Sequence, residues 1–151
     1  MGLFDRFLKK PEGQPFSYLP GEHEAWIGIL MACMTADGDM DALEIDALAR
    51  MLSLKDKFRG VDIGPHLSSV MNAKGKLGGI GLVEACSNAI KAEDKDTLFA
   101  MSVELVLADG SIDSDEEMVI DAIAKAMNVK SDTAEKIVEV MLIRTKGNLV
   151  L

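Results

Sequence analysis

Two acidic segments of nearly the same sequence contain the residues whose types and spacing could do chemistry. Residues 36–44 read Ala-Asp-Gly-Asp-Met-Asp-Ala-Leu-Glu, and residues 108–116 read Ala-Asp-Gly-Ser-Ile-Asp-Ser-Asp-Glu. They align without a gap, and neither contains Lys or Arg. Because Ca²⁺ and Mg²⁺ prefer several oxygen ligands, carboxylates among them, the pattern predicts a site for a divalent cation. The candidate metal ligands are Asp37, Asp41, Glu44, Asp109, Asp113 and Glu116.

A second interpretation of the same segments requires no ligand. Gly38 and Gly110 can adopt the positive φ that ends a helix, and the aspartate three residues later can cap the next helix. The glutamate three residues further on can close a capping box, while Met40 and Ile112 would fill each turn from the core side. Helix capping with a solvated acidic face therefore stands beside the cation site as an open alternative.

The EF-hand loop is excluded as a description of either segment. If Gly38 is placed at the invariant glycine of that loop, its first and third ligand positions fall on Cys33 and Thr35. In the second copy they fall on Leu105 and Leu107. A cation would therefore need ligands from both copies, or it would bind weakly.

Other residue types that catalyse reactions are poorly placed in this chain. His23 and His66 stand beside glycine or proline near helix starts, without an evident nucleophile nearby, so both are interpreted as surface or capping residues. The glycines of residues 75–81 lack the preceding strand and the Gly-Lys-Ser or Gly-Lys-Thr sequence of a phosphate loop. We therefore expect a protein that is not an enzyme.

The elements that must position the acidic segments are helices. Apolar residues recur at i, i+3, i+4 and i+7, and strands have no evident place. The predicted helices cover about 22–36, 42–52, 65–71, 82–90, 94–107, 114–127 and 131–145. The helix at 94–107 is apolar on nearly every face, which predicts a central position. The glycines of 75–81 predict a loose connection, and the basic residues of 55–59 predict a solvated one.

The repeat sets the predicted architecture. Each acidic segment follows one apolar helix and begins another, so we expect two related helix-turn-helix halves packed face to face. The fold class is all-α, a bundle of six to seven helices. Residues 22–151 are assigned to one domain, because a chain of this length usually forms a single core.

Residues 1–21 are assigned to an amphipathic turn followed by a Pro/Gly-rich linker that begins at residue 11. Within residues 1–10 the apolar side chains fall at helical spacing and basic ones accompany them. The apolar residues are Leu3, Phe4, Phe7 and Leu8, and the basic residues are Arg6, Lys9 and Lys10. A membrane surface, a partner groove and the chain's own domain are all possible contacts for this segment.

Composition bounds the class of partner. The formal net charge of −9 argues against nucleic acid, since binding to phosphates depends on Lys and Arg. The sequence contains no run of eighteen apolar residues, so it predicts no transmembrane helix. Cys33 and Cys86 lie in apolar stretches and are interpreted as buried thiols, which, with no signal peptide, predicts the cytoplasm.

The doubled Ala-Asp-Gly pattern with its glutamate, each copy between two apolar helices, resembles the tellurite-resistance TerB family and its TerB-like relatives. The resemblance covers about residues 22–145, and its motif corresponds to Asp37, Gly38 and Glu44, and to Asp109, Gly110 and Glu116. It implies a TerB-like helical bundle in bacteria, cytoplasmic and peripheral to the inner membrane through partner proteins. It also implies metal-binding acidic residues and an accessory role in tellurite resistance or a wider chemical or envelope stress response.

An interaction adaptor is the alternative function. Its acidic face would dock a basic or membrane-associated protein partner, and the repeated motif would serve only to cap helices. The oligomeric state stays open at this stage.

Overall fold

The apolar stripes of the sequence form helices in the computed structural model, which describes residues 16–38, 40–108 and 110–149. Across these ranges there are six α-helices and no strand. The α-helices are α1 (Glu22–Met34), α2 (Ala42–Ser53), α3 (Gly64–Ser87), α4 (Lys95–Val106), α5 (Ser114–Ala126) and α6 (Ser131–Thr145). Short 3₁₀ turns at Asp56–Phe58 and Ala92–Asp94 join them. The all-α prediction is confirmed, whereas the predictions for residues 1–15 fall outside the described residues.

The helix α1 occupies the centre of the bundle. Every residue from Ala25 to Cys33 is buried, and α3, α4 and α5 all pack against it. A helix that is apolar all round can be accommodated only inside a fold. The prediction that 94–107 is the central helix was therefore incomplete, because α4 packs on α1 but leaves Glu104 and Leu105 at its partly exposed side.

The predicted loose connection at residues 75–81 was wrong. Residues 64–87 are helical on both sides of a single break at Gly78, which has φ 74° and ψ 171°. Glycine lowers helix propensity by about 1 kcal/mol relative to alanine, but tertiary packing overrides so small a preference. Ala73 before the break and Leu82 after it are both fully buried, and this packing holds the two halves of α3 in place.

The break makes α3 a pair of short helices lying along α1. In the first half Ser69 contacts Glu24 and Lys74 contacts Thr35, so this half runs in the direction of α1. In the second half Cys86 lies beside Gly28, so the chain has turned back. This pair connects the first half of the protein, α1 and α2, with the second, α4 and α5.

The basic connection at residues 55–59 is only partly solvated, contrary to prediction. Lys57 is half-buried and donates hydrogen bonds to Glu22 and, over 3.0 Å, to Asp94. Its Nζ also lies 5.4 Å from the centre of the Trp26 ring, within the range of a cation–π contact. Lys57 thus links the connection after α2 to the start of α1 and to the turn before α4.

A membrane-spanning helix would need about 20 predominantly apolar residues. None of the helices in the described ranges is long and apolar enough to cross a membrane.

Candidate cation site at the paired acidic turns

Each acidic segment connects two helices and contains a glycine with positive φ. Gly38 has φ 153° and Gly110 has φ 82°, in the region that favours glycine. Met40 and Ile112, two residues after these glycines, are partly buried against the core. The turn conformation predicted from the repeat is confirmed in both copies.

The aspartate three residues after each glycine caps the following helix. Asp41 Oδ1 accepts a hydrogen bond from the Glu44 backbone N–H, and Asp113 Oδ1 accepts one from the Glu116 N–H, each over 2.8 Å. Such a cap satisfies a backbone donor that the helix leaves unpaired, and it contributes about 1 kcal/mol. The capping interpretation is therefore confirmed for both aspartates.

The two glutamates behave differently. Glu116 Oε1 accepts a hydrogen bond from the Asp113 backbone N–H over 3.1 Å, which completes a capping box at α5. In the first turn, Glu44 Oε2 is buried and has no hydrogen-bond partner among the described residues. A buried carboxylate oxygen without a donor is unfavourable, so this oxygen is the unsatisfied atom of the site.

Electrostatics links the two turns through Asp37, whose charge acts on a glutamate in each of them. Burial raises the pKa of Glu116 to about 7, and the charges of Asp113 and Asp37 add to the shift. Burial also raises the pKa of Glu44, with further contributions from Asp41 and again from Asp37. Because Asp37 belongs to the first turn and Glu116 to the second, carboxylates from both copies share one region.

The end of α1 gives independent support for this arrangement. Burial raises the pKa of Cys33 to about 12, a hydrogen bond from Ser102 opposes the shift, and the charge of Glu116 adds to it. Cys33 lies one turn before the first acidic segment. Glu116, although it belongs to the second copy, therefore lies beside the helix that leads into the first.

Each turn is held by a side chain from a distant part of the chain. Lys74 Nζ of α3 donates a hydrogen bond to the Thr35 carbonyl over 2.8 Å, at the end of α1. Asn148 Nδ2, just after α6, donates one to the Ala108 carbonyl over 3.0 Å. Sequence reasoning missed both residues, because each lies about 40 positions from its partner and no local pattern marks it.

The structure thus separates the six predicted ligands into groups. Glu44, Glu116 and Asp37 share one region, whereas Asp41 and Asp113 are exposed and use one oxygen each as helix caps. Asp109 lies outside the described residues, as does Asp39 of the first acidic segment.

The oxygen donors of the turns are of the chemical type that a hard cation prefers, but too few of the described ones are gathered at one point to complete a site. They are carboxylate oxygens, one of them buried and unpaired, and such oxygens are the ligands that Ca²⁺ and Mg²⁺ take. Within ranges 16–38, 40–108 and 110–149, no three acidic, thiol or imidazole groups form a ready-made metal site. A cation would have to draw flexible carboxylates inward or use donors outside those ranges.

A second polar cluster surrounds Glu24 at the start of α1. Its carboxylate accepts hydrogen bonds from Tyr18 and, over 3.1 Å, from Ser69, and it lies 3.0 Å from His66 Nδ1. Burial raises the pKa of Glu24, but these hydrogen bonds outweigh burial and the net shift is downward. His23 contacts a backbone carbonyl of the first 3₁₀ turn. Both histidines, interpreted from the sequence as surface or capping residues, are half-buried in the structure.

Comparison with known proteins agrees with the repeated motif. The family described as "Tellurite resistance protein TerB" matches residues 23–139, which include both acidic turns and five of the six α-helices in full or nearly so. No curated protein and no solved structure gives a match. The all-helical fold and the extent of the match lead to one conclusion: the chain belongs to the TerB family of tellurite resistance proteins.

Proposed function

We propose that this chain is a non-enzymatic accessory protein of tellurite resistance, or of a wider chemical or envelope stress response, that binds one divalent cation between its two acidic turns. It acts in the bacterial cytoplasm, at the inner membrane through a protein partner. The observation that carries the cation proposal is the buried, unpaired Glu44 Oε2 in a region shared by carboxylates of both copies.

The energetic argument for a cation is that Asp37 repels the carboxylates of both Glu44 and Glu116, one from each turn. Burial and repulsion by nearby aspartates raise the pKa of both Glu44 and Glu116, so ionising them in the folded protein is unfavourable. A bound cation of charge +2 would reverse this penalty and would supply the partner that Glu44 Oε2 lacks. Ca²⁺ suits the turns better than Mg²⁺, because it accepts irregular sets of six to eight oxygens whereas Mg²⁺ requires near-ideal octahedral geometry.

The test is a titration of the chelator-treated full chain with Ca²⁺, Mg²⁺ and Mn²⁺ in turn. Calorimetry gives the stoichiometry, and backbone amide shifts report separately on residues 37–44 and 109–116. We expect saturable Ca²⁺ binding at micromolar concentration, one ion per chain, with both turns shifting together. If no cation binds below millimolar concentration, the proposal fails.

A pair of isosteric variants makes the titration specific. Glu44→Gln removes the charge at the unpaired oxygen, and Glu93→Gln removes the same charge at an exposed position in the second 3₁₀ turn. We expect Glu44→Gln to weaken Ca²⁺ binding at least tenfold and Glu93→Gln to leave it unchanged. Equal weakening in both variants would indicate diffuse attraction to an acidic protein rather than a site.

The adaptor function is the second candidate, and the completed helix caps favour it. Asp41 and Asp113 already perform a structural task that needs no metal. In this case the acidic face would bind a basic or membrane-associated protein. Replacing Asp37, Glu44, Asp109 and Glu116 by their amides should then abolish partner capture, and retained capture would count against it.

A further inference from the structure

An apolar groove lies apart from the six candidate cation ligands, none of which lines it. It has a volume of about 570 Å³ and lies between α4, α5 and α6. Its floor is apolar and includes Ala124, Val138 and Leu142, while three carboxylates, Asp121, Glu135 and Glu139, lie around it. No Lys or Arg is among the described residues that line it.

Several large apolar side chains of α6 are exposed to solvent at or near this groove. Ile143 is 70% exposed and Leu142 is 49% exposed, and Val140 on the same helix is 57% exposed. Large apolar side chains exposed together, next to polar residues, are typical of a surface that another segment covers. Because the groove is apolar and flanked by carboxylates, a segment that fits it should have apolar side chains on one face and basic side chains at the edge of that face.

The beginning of the chain has this chemistry. Residues 1–10 lie outside the described ranges, and their sequence spaces Leu3, Phe4, Phe7 and Leu8 as one face of a helix would require. Their basic residues, Arg6, Lys9 and Lys10, outnumber their single carboxylate, Asp5, so the net charge of the segment is opposite in sign to that of the three groove carboxylates. As a helix, ten residues span about 15 Å.

A tether of five residues separates this segment from the described part of the chain. Residues 11–15 connect the segment to Phe16, which is the first described residue and lies against Lys76 of α3. Five extended residues span at most about 17 Å. That reach is roughly half the ~30 Å diameter of a small domain, before the length of the segment itself is added.

We propose that residues 1–10 dock in the groove between α4, α5 and α6 of their own chain, with their apolar side chains on its floor and their basic side chains beside Asp121, Glu135 and Glu139. The proposal concerns a surface without any of the proposed cation ligands, so it stands or falls separately from cation binding.

The first test uses the full chain and changes only the segment. Phe4→Asp/Phe7→Asp should shift the methyl resonances of Ala124, Ala134 and Val138 and should increase amide exchange in α6 about tenfold. The methyl resonance of Ala32, buried in α1, should stay in place. Leu19→Asp is the control, since it makes the same type of change at a position that is 89% exposed and should leave the groove resonances unchanged.

The second test exchanges charges. Glu135→Lys/Glu139→Lys should release the segment and produce the same methyl shifts as the first variant. Adding Lys9→Glu/Lys10→Glu to that variant should restore the original resonances, because the pairing is recovered with opposite signs. A merely altered groove would not be rescued.

Three results would overturn the proposal. The groove resonances could be the same in the full chain and in Phe4→Asp/Phe7→Asp. The shifts could depend on protein concentration and accompany a change in sedimentation, which would place the segment on a second copy. Finally, the variant could leave the groove unchanged but lose binding to vesicles of anionic phospholipid, which would assign the segment to a membrane surface.

Discussion

Glu116 combines two roles that conflict at neutral pH. Its carboxylate completes the capping box of α5, yet burial and nearby aspartates raise its pKa to about 7. Because the folded pKa exceeds the ordinary value of 4.5, the fold prefers the protonated form. The resulting penalty is absent below about pH 4.5 and grows as the pH rises through 7.

We therefore predict that Glu116→Gln stabilises the metal-free protein at alkaline pH. Gln keeps the capping hydrogen bond and removes the charge, so the free energy of unfolding should rise by about 1–2 kcal/mol at pH 8, after allowance for solvent screening. Urea unfolding at pH 5 and pH 8, with chelator present, measures the difference. The gain should be much smaller at pH 5, and a gain of the same size at both pH values would show that ionisation is not its cause.

The exposed Glu117, next in the sequence, provides the control for this prediction. Glu117→Gln removes the same charge from the same helix without the burial that shifts Glu116. Its effect on the free energy of unfolding should stay within about 0.5 kcal/mol at both pH values.

Single residues show where sequence reasoning succeeds and where it stops. The positive φ of Gly38 and the cap at Asp113 were predictable, because each follows from residue type and short spacing. The unpaired oxygen of Glu44 was not, since the second copy of the same motif closes its capping box. The difference between the copies arises from packing, which the local sequence does not indicate.

Among the elements, the contact of α1 with α3 is the closest. A Cβ atom added at Gly28 would lie 2.4 Å from Cys86 Sγ but 3.7 Å from Cys86 Cβ. The first distance is a clash and the second is an ordinary contact. Gly28 in α1 and Cys86 in α3 therefore fit each other, and a larger side chain at either position would clash with the other residue.

We predict that Gly28→Ala destabilises the protein although alanine favours helices. The clash with Cys86 Sγ should lower the free energy of unfolding by about 1–3 kcal/mol, which exceeds the gain of about 1 kcal/mol in helix propensity. In Gly28→Ala/Cys86→Ala the added methyl group occupies the space of the removed sulfur, so most of the loss should be recovered. Urea unfolding of both single variants and the double variant gives the coupling energy. Additive losses would refute the contact.

The helix α3 explains the main error of prediction at this scale. Four glycines in seven residues locally favour a connection, and only one of them, Gly78, breaks the helix. The other three are helical because α3 lies along α1 on both sides of the break. Propensity describes an isolated segment, whereas the buried face of α3 decides its conformation.

On the scale of the whole molecule, Lys57 connects the two repeated halves. It follows α2 of the first half and bonds Asp94, in the turn that precedes α4 of the second half. It also bonds Glu22 at the start of α1. All three side chains are less than a third exposed, so solvent weakens these interactions only in part.

Replacing Lys57 by Met should loosen this connection. Met keeps much of the aliphatic length beside Trp26 but removes the cation that bonds Asp94 and leaves Glu22 with only the more distant Lys91, at a cost of about 1–3 kcal/mol in the free energy of unfolding. The control is Arg59→Met, which breaks an ion pair with Asp56 that is almost fully exposed. That change should cost less than about 0.5 kcal/mol. Similar effects of the two variants in urea unfolding would contradict the connecting role of Lys57.

The general architecture was predictable, but the relation between the halves was not. The repeat of residues 36–44 at 108–116 correctly indicated two helix-turn-helix units, because its glycines and caps occur in the same order. That Asp37 influences Glu116 depends on how α5 packs against α1, and contacts between distant segments leave no mark on either sequence. For the same reason the roles of Lys74 and Asn148 became evident only from the structure.

The burial of the two thiols has a consequence for how this protein tolerates oxidants. Burial raises the pKa of Cys33 and of Cys86 to about 12, so at neutral pH both thiols stay protonated and weakly reactive. Both sulfur atoms also lie inside the core, in residues that are 2% and 0% exposed. An oxidant in solution reaches Met118, on the surface of α5, long before either cysteine. Oxidation should therefore begin at exposed methionines such as Met118 rather than at the buried thiols.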